Sequence, residues 1–485
     1  MNPLFYTYGD DAPIAAPATP LAECALAIIR ISGKDAIPLV ASVFSRPRKL
    51  LEAPGNTVVY GWILDENEKI DEVLVSVYRG PRSYTGEDGA DISCHGGIAT
   101  VRGVMRVLHR AGFRDSLPGE FTFRAFMQGK LDLTRAESVM ELVSAKTDQA
   151  RSHAVNRLAG SLEQEVRGIK DQLVQVLAGT EIFLDYSEDE FRGNPGTLDD
   201  EAAGRLPDRA LAEEVLARLR VLAGSYRMER LYHEGALVVI AGRPNAGKSS
   251  LFNRLLKEER SIVTDIPGTT RDWIEGWISI EGIPIRLVDT AGIREDAVGG
   301  MLEKLGMERS RALLRDADLV LYMVDATCSA DTRDEESVRF FSALLWEDPK
   351  RILPVKNKLD LCPPGTMTEE ESFFFQYAPF QGISAKTGWG IAELAVAIAG
   401  RLTRERGGAE ARRSSSGIGT ERQKGLIHGA IQSLEDALTL ADQGEPLDLI
   451  APLLREGVQA LGTITGEVST ADMLEVMFSR FCVGK

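Results

Sequence analysis

Apolar and polar positions alternate with a period of two in the first part of the chain. Ala25–Ile31 reads as a strand ended by Ser32-Gly33, and Thr57–Ile63 and Val73–Tyr78 read as two more. The polar turn Asp65–Lys69 joins the latter two as a hairpin, and Thr100–Ala111 predicts a helix. Residues 1–126 therefore predict a compact α+β unit. From Leu133 the period lengthens. Leu158, Leu162 and Val166 lie four apart, and Ile169, Leu173, Val176 and Leu177 continue what reads as one helical stripe, the core of a helix bundle. Gly193-Asn194-Pro195-Gly196 marks a loop, after which Leu211, Val215, Leu219 and Leu222 resume the helical period. Gly235 to Arg401 alternates strands and helices as a doubly wound sheet does. Arg404–Ser416 is net basic and Ser/Gly-rich, hence a linker. A helical pattern then returns through Leu426, Ile427, Ile431, Leu434, Leu438 and Leu440. Helices thus flank the α/β unit on both sides. The economical arrangement is one helical domain with the α/β unit inserted between its halves, since domain termini usually lie close together. The boundaries expected are 1–126, 127–232, 233–402 and 403–485.

Composition adds limits. A chain of 485 residues is too long for one ordinary core. Lys and Arg number 56 against 72 Asp and Glu, a net of −16, so any RNA contact needs a local basic patch on a repulsive background. Arg401, Arg404, Arg406, Arg412 and Arg413 are interrupted by Glu405 and Glu410 and read as a solvated linker. The five cysteines form no CxxC pair, which fits a reducing compartment and gives no zinc framework. No apolar run reaches membrane-spanning length, and Met1–Tyr6 lacks a basic leader. A cytoplasmic protein with no membrane partner is expected.

The chemistry centres on Gly242-Arg243-Pro244-Asn245-Ala246-Gly247-Lys248-Ser249-Ser250. It follows the apolar run Ala236–Ala241 and precedes the helical Leu251–Leu256. Strand, glycine-rich loop and helix make the GxxxxGK[ST] pattern a phosphate cradle, with backbone N–H groups and the helix dipole facing an anion. Lys248 would reach the β/γ-phosphates and Ser249 would hold Mg²⁺. Val263–Asp272 could place Thr270 on the same ion in a γ-phosphate-dependent loop. The strand Pro284–Val288 ends in Asp289-Thr290-Ala291-Gly292, where the carboxylate can hold Mg²⁺ through water and Gly292 can serve the γ-phosphate. Val355–Asp360 supplies the base reader: Asp360 can accept from guanine N1–H and the exocyclic amine, whereas adenine would leave it unpaired. Asn357 and Lys358 would brace the loops, and Ser384-Ala385-Lys386 would complete the base pocket. The nucleotide read from this set is GTP. Ile293 stands where Ras-type GTPases carry a water-orienting glutamine, and Arg271 and Arg294 assign no arginine finger.

Over nearly its whole length the chain resembles one family, the tRNA-modification GTPases known as MnmE or TrmE. The residues that carry the likeness are Gly242–Ser250, Thr264-Asp265-Ile266-Pro267-Gly268-Thr269-Thr270-Arg271-Asp272, Ser83–Asp88 and Cys94–Gly97. Gly119–Thr122, Gly129–Leu133 and the terminal Phe481-Cys482-Val483-Gly484-Lys485 add to it. The resemblance implies GTP hydrolysis that depends on K⁺, with Asn245, Thr264, Ile266 and Thr269 around the ion, and Glu303 orienting the attacking water. It implies an N-terminal domain binding a tetrahydrofolate (5-formyl- or 5,10-methylene-) through Arg30, Glu87, Lys130 and Lys485. It further implies a homodimer, an FAD- and NADH-dependent partner in a heterotetramer, and a wobble uridine of tRNA as the modified base. Pro20–Cys24 departs from the glycine- and arginine-rich turn usual before this strand. Cys482 is a candidate reactive thiol, although a lone cysteine is more often an inert packed residue. His95 reads as a structural hydrogen-bonder. A ribosome-assembly GTPase without folate, and a one-carbon transferase needing no partner, are the rival readings.

Overall fold

The computed structural model describes residues 8, 11–185, 206–243, 245–258, 274–289, 312–327, 351–362, 380–404 and 417–484. The chain divides into two units. The first comprises Met1–Met140, Arg157–Leu211 and Ser433–Lys485; the second comprises Glu141–Asn156 and Ala212–Gln432.

In the first unit, β1 (Ile14–Pro17), β2 (Cys24–Ser32), β3 (Thr57–Asp65), β4 (Glu68–Tyr78), β5 (Gly89–Gly96) and β6 (Arg114–Asp115) form a sheet in the order β3-β4-β5-β2-β1-β6. The expected period-two faces hold: Ala27, Ile29 and Ile31 of β2 are buried, while Leu26 stays exposed. Helices α1 (Ala36–Ser42), α2 (Pro47–Leu51) and α3 (Ile98–Ala111) contribute to the same core, α3 through Val101, Val104, Met105, Val107 and Leu108. The hairpin turn is shorter than the polar run suggested. Asp65 pairs with Glu68 and Leu64 with Lys69, leaving Glu66-Asn67 as the turn. Charged residues pair readily at a strand tip whose side chains reach water.

Helices α4 (Glu120–Met127), α5 (Leu133–Ser144), α6 (Asp148–Leu158), α7 (Ser161–Asp185) and α8 (Arg209–Glu234) follow. One expectation is corrected here. Leu158 ends α6 and does not share a helix with Leu162, because Ala159-Gly160 breaks the run and Gly160 adopts φ +100. The rest of the stripe stands: Leu162, Val166, Ile169, Leu173 and Val176 are fully buried along α7.

In the second unit, β7 (Ala236–Gly242) leads through a loop into α9 (Lys248–Glu258). Strands β8 (Ile274–Ile280), β9 (Ile283–Asp289), β10 (Leu319–Asp325), β11 (Ile352–Asn357) and β12 (Gln381–Gly382) complete a sheet in the order β12-β11-β10-β7-β9-β8. Every pairing is parallel except the edge pair β8–β9. The strands are near-continuous apolar runs, as a sheet covered on both faces requires. Helices α10 (Ile391–Arg404) and α11 (Glu421–Asp442) follow. Back in the first unit, α12 (Leu447–Thr465) packs along α7, and α13 (Ala471–Phe478) packs on α4.

The C-terminus is anchored by aromatic packing. Phe478 is fully buried, Phe481 nearly so, and their rings lie 5.2 Å apart; Phe123 meets Phe478 edge-on at 5.4 Å. Each buried aromatic contributes roughly 1.5–3 kcal/mol. The Gly119 N–H donates to the Cys482 carbonyl at 3.3 Å, which fixes the last residues against the start of α4. Among the described residues, no helix is long and apolar enough to cross a membrane.

Candidate functional site

The phosphate loop lies where a doubly wound sheet puts its ligand crevice, outside the carboxyl end of a central strand and at a helix N-terminus. Lys248 opens α9, is 9% exposed, and spans the loop by donating from Nζ to the Gly242 carbonyl at 3.1 Å and the Arg243 carbonyl at 3.0 Å. Asn245 is exposed in left-handed backbone, φ 62. Ser249 Oγ donates to Asp289 Oδ2 at 2.6 Å, and Asp289 is fully buried at the end of β9. The sequence put both groups near a hard cation; the fold brings the two oxygens together. Ser250 is exposed on the first turn of α9.

The base side is organised by Asn357, 3% exposed at the end of β11. Its Nδ2 donates to the Ala246 carbonyl at 2.8 Å, and its Oδ1 accepts from the Ala385 N–H at 2.9 Å. Gly247 carries no side chain where the Asn357 amide stands; a Cβ there would collide with Nδ2. Lys358 sits at φ 68 and pairs with Asp325 Oδ2 at 2.5 Å. Burial opposes ionisation of Asp325, but hydrogen bonds from Lys358 and from the Thr327 backbone and hydroxyl outweigh it and hold the carboxyl below its usual range. Ser384 Oγ donates to Asp360 Oδ1 at 2.7 Å. Lys386 is exposed after this turn. Asp325 escaped the sequence reading. Its one signal is its place at a strand end next to β11.

A second cleft, of about 230 Å³, lies in the first unit and is lined by Arg30, Ser32, Tyr78, Tyr84, Asp91 and Phe121 among others. Arg30 pairs with Asp91 at 2.9 Å and lies over the Tyr84 ring at 5.8 Å. It also donates to the Gly484 carbonyl at 3.5 Å, so the chain end reaches this cleft across 454 residues of sequence. Glu87 accepts from Ser32 Oγ at 2.7 Å and pairs with Arg124 at 3.2 Å. Lys130 Nζ donates to the Pro81 carbonyl at 2.8 Å, and its stem runs beside Gly86. Cys482 is exposed. His95 donates its N–H to Asp71 and places Nδ1 2.7 Å from the same carboxylate, a structural role. Arg124, buried between Glu87 and the fully buried Glu120, was not singled out from sequence, because an arginine inside an apolar helix carries no motif.

Thr264, Asp265, Ile266, Pro267, Gly268, Thr269, Thr270, Thr290, Ala291, Gly292, Glu303 and Lys485 lie outside the described residues.

The sheet order and the loop between β7 and α9 define a P-loop protein of the GTPase class. Two family profiles match: "GTP-binding protein TrmE N-terminus" over residues 13–130 and "MnmE helical domain" over residues 133–482. A curated "tRNA modification GTPase MnmE" from Treponema denticola is 42% identical, covering 99% of this chain and 99% of its own. That of Carboxydothermus hydrogenoformans is 40% identical over 97% of this chain and 99% of its own, and that of Alkaliphilus oremlandii 38% over 99% and 100%. The chain belongs to the MnmE family of tRNA modification GTPases.

Proposed function

We propose that this chain hydrolyses GTP in the service of tRNA wobble-uridine modification, forming a 5-aminomethyl or 5-carboxymethylaminomethyl group with an FAD- and NADH-dependent partner. The observation that carries the nucleotide reading is the double hydrogen bond of Asn357, which ties the phosphate loop to the base-side turn and leaves Asp360 oriented by Ser384. Asp360 reads guanine, Lys358 covers the base, and Ser384, Ala385 and Lys386 close the pocket. Asn245–Ser250 cradle the phosphates. The Ser249 hydroxyl and the Asp289 carboxylate fit an Mg²⁺ ion, whose chemistry is to neutralise β- and γ-phosphate charge; Thr270 joins them. A K⁺ ion on Asn245, Thr264, Ile266 and Thr269 would supply the charge of the missing arginine finger. Glu303 holds the attacking water, and Thr264–Thr270 with Asp289–Gly292 sense the γ-phosphate.

Arg30, Glu87, Lys130 and Lys485 hold a tetrahydrofolate in the N-terminal cleft. Aromatic walls from Tyr84 and Phe121 fit a flat pterin, and the Glu87 carboxylate suits its amino edge. Residues 1–126 form the folate and dimerisation domain, 127–232 and 403–485 the helical domain, and 233–402 the inserted GTPase domain. The helical-domain profile runs through residues 133–482 and so brackets the nucleotide fold, which supports insertion. The protein works as a cytoplasmic homodimer. GTP hydrolysis drives domain movement and is not the bond-forming step.

The test is GTP turnover in potassium and in sodium at equal ionic strength, for the wild type and Glu303→Ala. Potassium is expected to accelerate the wild type, and Glu303→Ala to bind GTP normally while hydrolysing it slowly. Equal rates in the two salts would remove the ion from the mechanism, and unchanged hydrolysis would remove Glu303.

A further inference from the structure

The β8–β9 hairpin spans the distance between the nucleotide site and a helical segment of the same unit. At one end, β9 finishes at Asp289, whose carboxylate meets Ser249. Strand β8 starts directly after the stretch that carries Thr264–Thr270. At the other end is the two-residue turn Glu281-Gly282, with φ 50 and 78, the mirror-image turn that suits a tight hairpin. Seven residues per strand make a rod of roughly 20 Å.

The segment around Lys146 and Gln149 grips that rod from its middle to its turn. Lys146 Nζ lies 3.0 Å from the centroid of the Trp277 ring, midway along β8. Burial, and then the nearby Arg286 charge, lower the Lys146 pKa, so the ammonium is partly desolvated on that ring. Gln149 reaches over the turn: a Cβ on Gly282 would collide with its Oε1 and come within 3.1 Å of its Cδ. Ala150, next on α6, is 5% exposed and belongs to the same core as Ile278, Ile280 and Ile283 of the hairpin. Beside these contacts a cleft of about 600 Å³, lined by Gln149, His153, Tyr232, Glu281, Val396 and Thr403, separates α6 from α10. The segment is held by the hairpin on one side and by α8 on another, where His153 Nδ1 lies 2.8 Å from Glu229 and its ring 5.0 Å from that of Tyr232.

We propose that Lys146 and Gln149 are positioning residues that transmit the nucleotide state from the β8–β9 hairpin to α6. This rests on the reading of the chain as a GTPase whose turnover moves domains. A tilt of the hairpin on loss of the γ-phosphate carries Trp277 and the Gly282 turn with it. The segment bound to them follows, with the cleft giving α6 room to shift against α10. The chain leaves this segment at both ends toward residues of the first unit, Met140 and Arg157.

The experiment uses the full-length protein carrying Lys146→Met with Gln149→Ala, and the conservative Lys146→Arg. Amide hydrogen exchange of residues 141–156 is compared between the GDP state and GDP with aluminium fluoride, beside GTP turnover and tRNA modification with the FAD-dependent partner. Wild type is expected to change exchange in this segment between the two states. The double variant should lose that change, keep GTP turnover within about twofold and drop modification at least tenfold, while Lys146→Arg retains all three. A double variant that modifies tRNA normally, or that loses turnover and modification in parallel, overturns the proposal. A wild type that does not hydrolyse GTP would instead sink the underlying functional reading.

Discussion

The Asn357 side-chain amide donates to the Ala246 carbonyl at 2.8 Å, bridging two loops that are 111 residues apart in the chain. The same side chain accepts from the Ala385 N–H, so one residue holds the phosphate loop and the base pocket in register. A nucleotide site needs this because its two halves must grip the two ends of one ligand at once.

Replacing Asn357 with alanine leaves the Ala246 carbonyl and the Ala385 N–H without these partners in a buried setting. Such groups cost about 1–3 kcal/mol each. GDP affinity is expected to fall by at least about tenfold, read by titration with a fluorescent GDP analogue. Unchanged affinity would mean that the loops hold their places without this bridge.

Asp360→Asn exchanges an acceptor for a donor at the base edge. The retained amide oxygen can still accept from N1–H, but the new NH2 faces the guanine amine, donor against donor, whereas xanthine offers a carbonyl where that amine stood. The variant should prefer xanthosine triphosphate to GTP, reversing the wild-type order. Ser384→Ala keeps the carboxylate but frees its orientation, so a weaker loss with guanine preference intact is expected.

Arg124 sits 6% exposed between Glu87 and the fully buried Glu120, at 3.2 and 2.9 Å. Arg114 also pairs with Glu120, so the second acid would keep one cation if Arg124 were lost. Removing one member of a buried ion pair typically costs about 3–5 kcal/mol. Arg124→Ala should lower the midpoint of the unfolding transition reported by Trp62, with Arg124→Lys intermediate. An unchanged midpoint would show that Glu120 is satisfied by Arg114 alone.

Burial, and next the Asp71 charge, push the Cys94 thiol up to about 11, whereas Cys24 and Cys482 are exposed. At pH 8 only about a thousandth of Cys94 is thiolate. Iodoacetamide on the native protein is expected to label Cys24 and Cys482 and spare Cys94, with labelling of Cys94 rising as pH approaches 11. Mass spectrometry of the peptides reads the order, and early labelling of Cys94 would contradict its buried setting.

What a stretch of chain does with its own neighbours was legible from the residues alone. The strand Ala236–Ala241, the glycine-rich loop and the helix opening at Lys248 follow from spacing and backbone preference, as do the strand ends at Asp289 and Asn357. The buried stripe of α7 was readable too, although its start was misplaced. The helical period continues through Leu158, and only the backbone at Gly160 breaks it. Partners far apart in the chain were decided by the tertiary structure. Sheet order sets β11 beside β10, and that brings Asp325 to Lys358. Aromatic packing around Phe478 and Phe481 carries Gly484 to Arg30. Hydrogen bonds and ion pairs act over a few ångströms, while periodicity reports only which face of an element is buried. Which other element covers that face is chosen when the whole core closes.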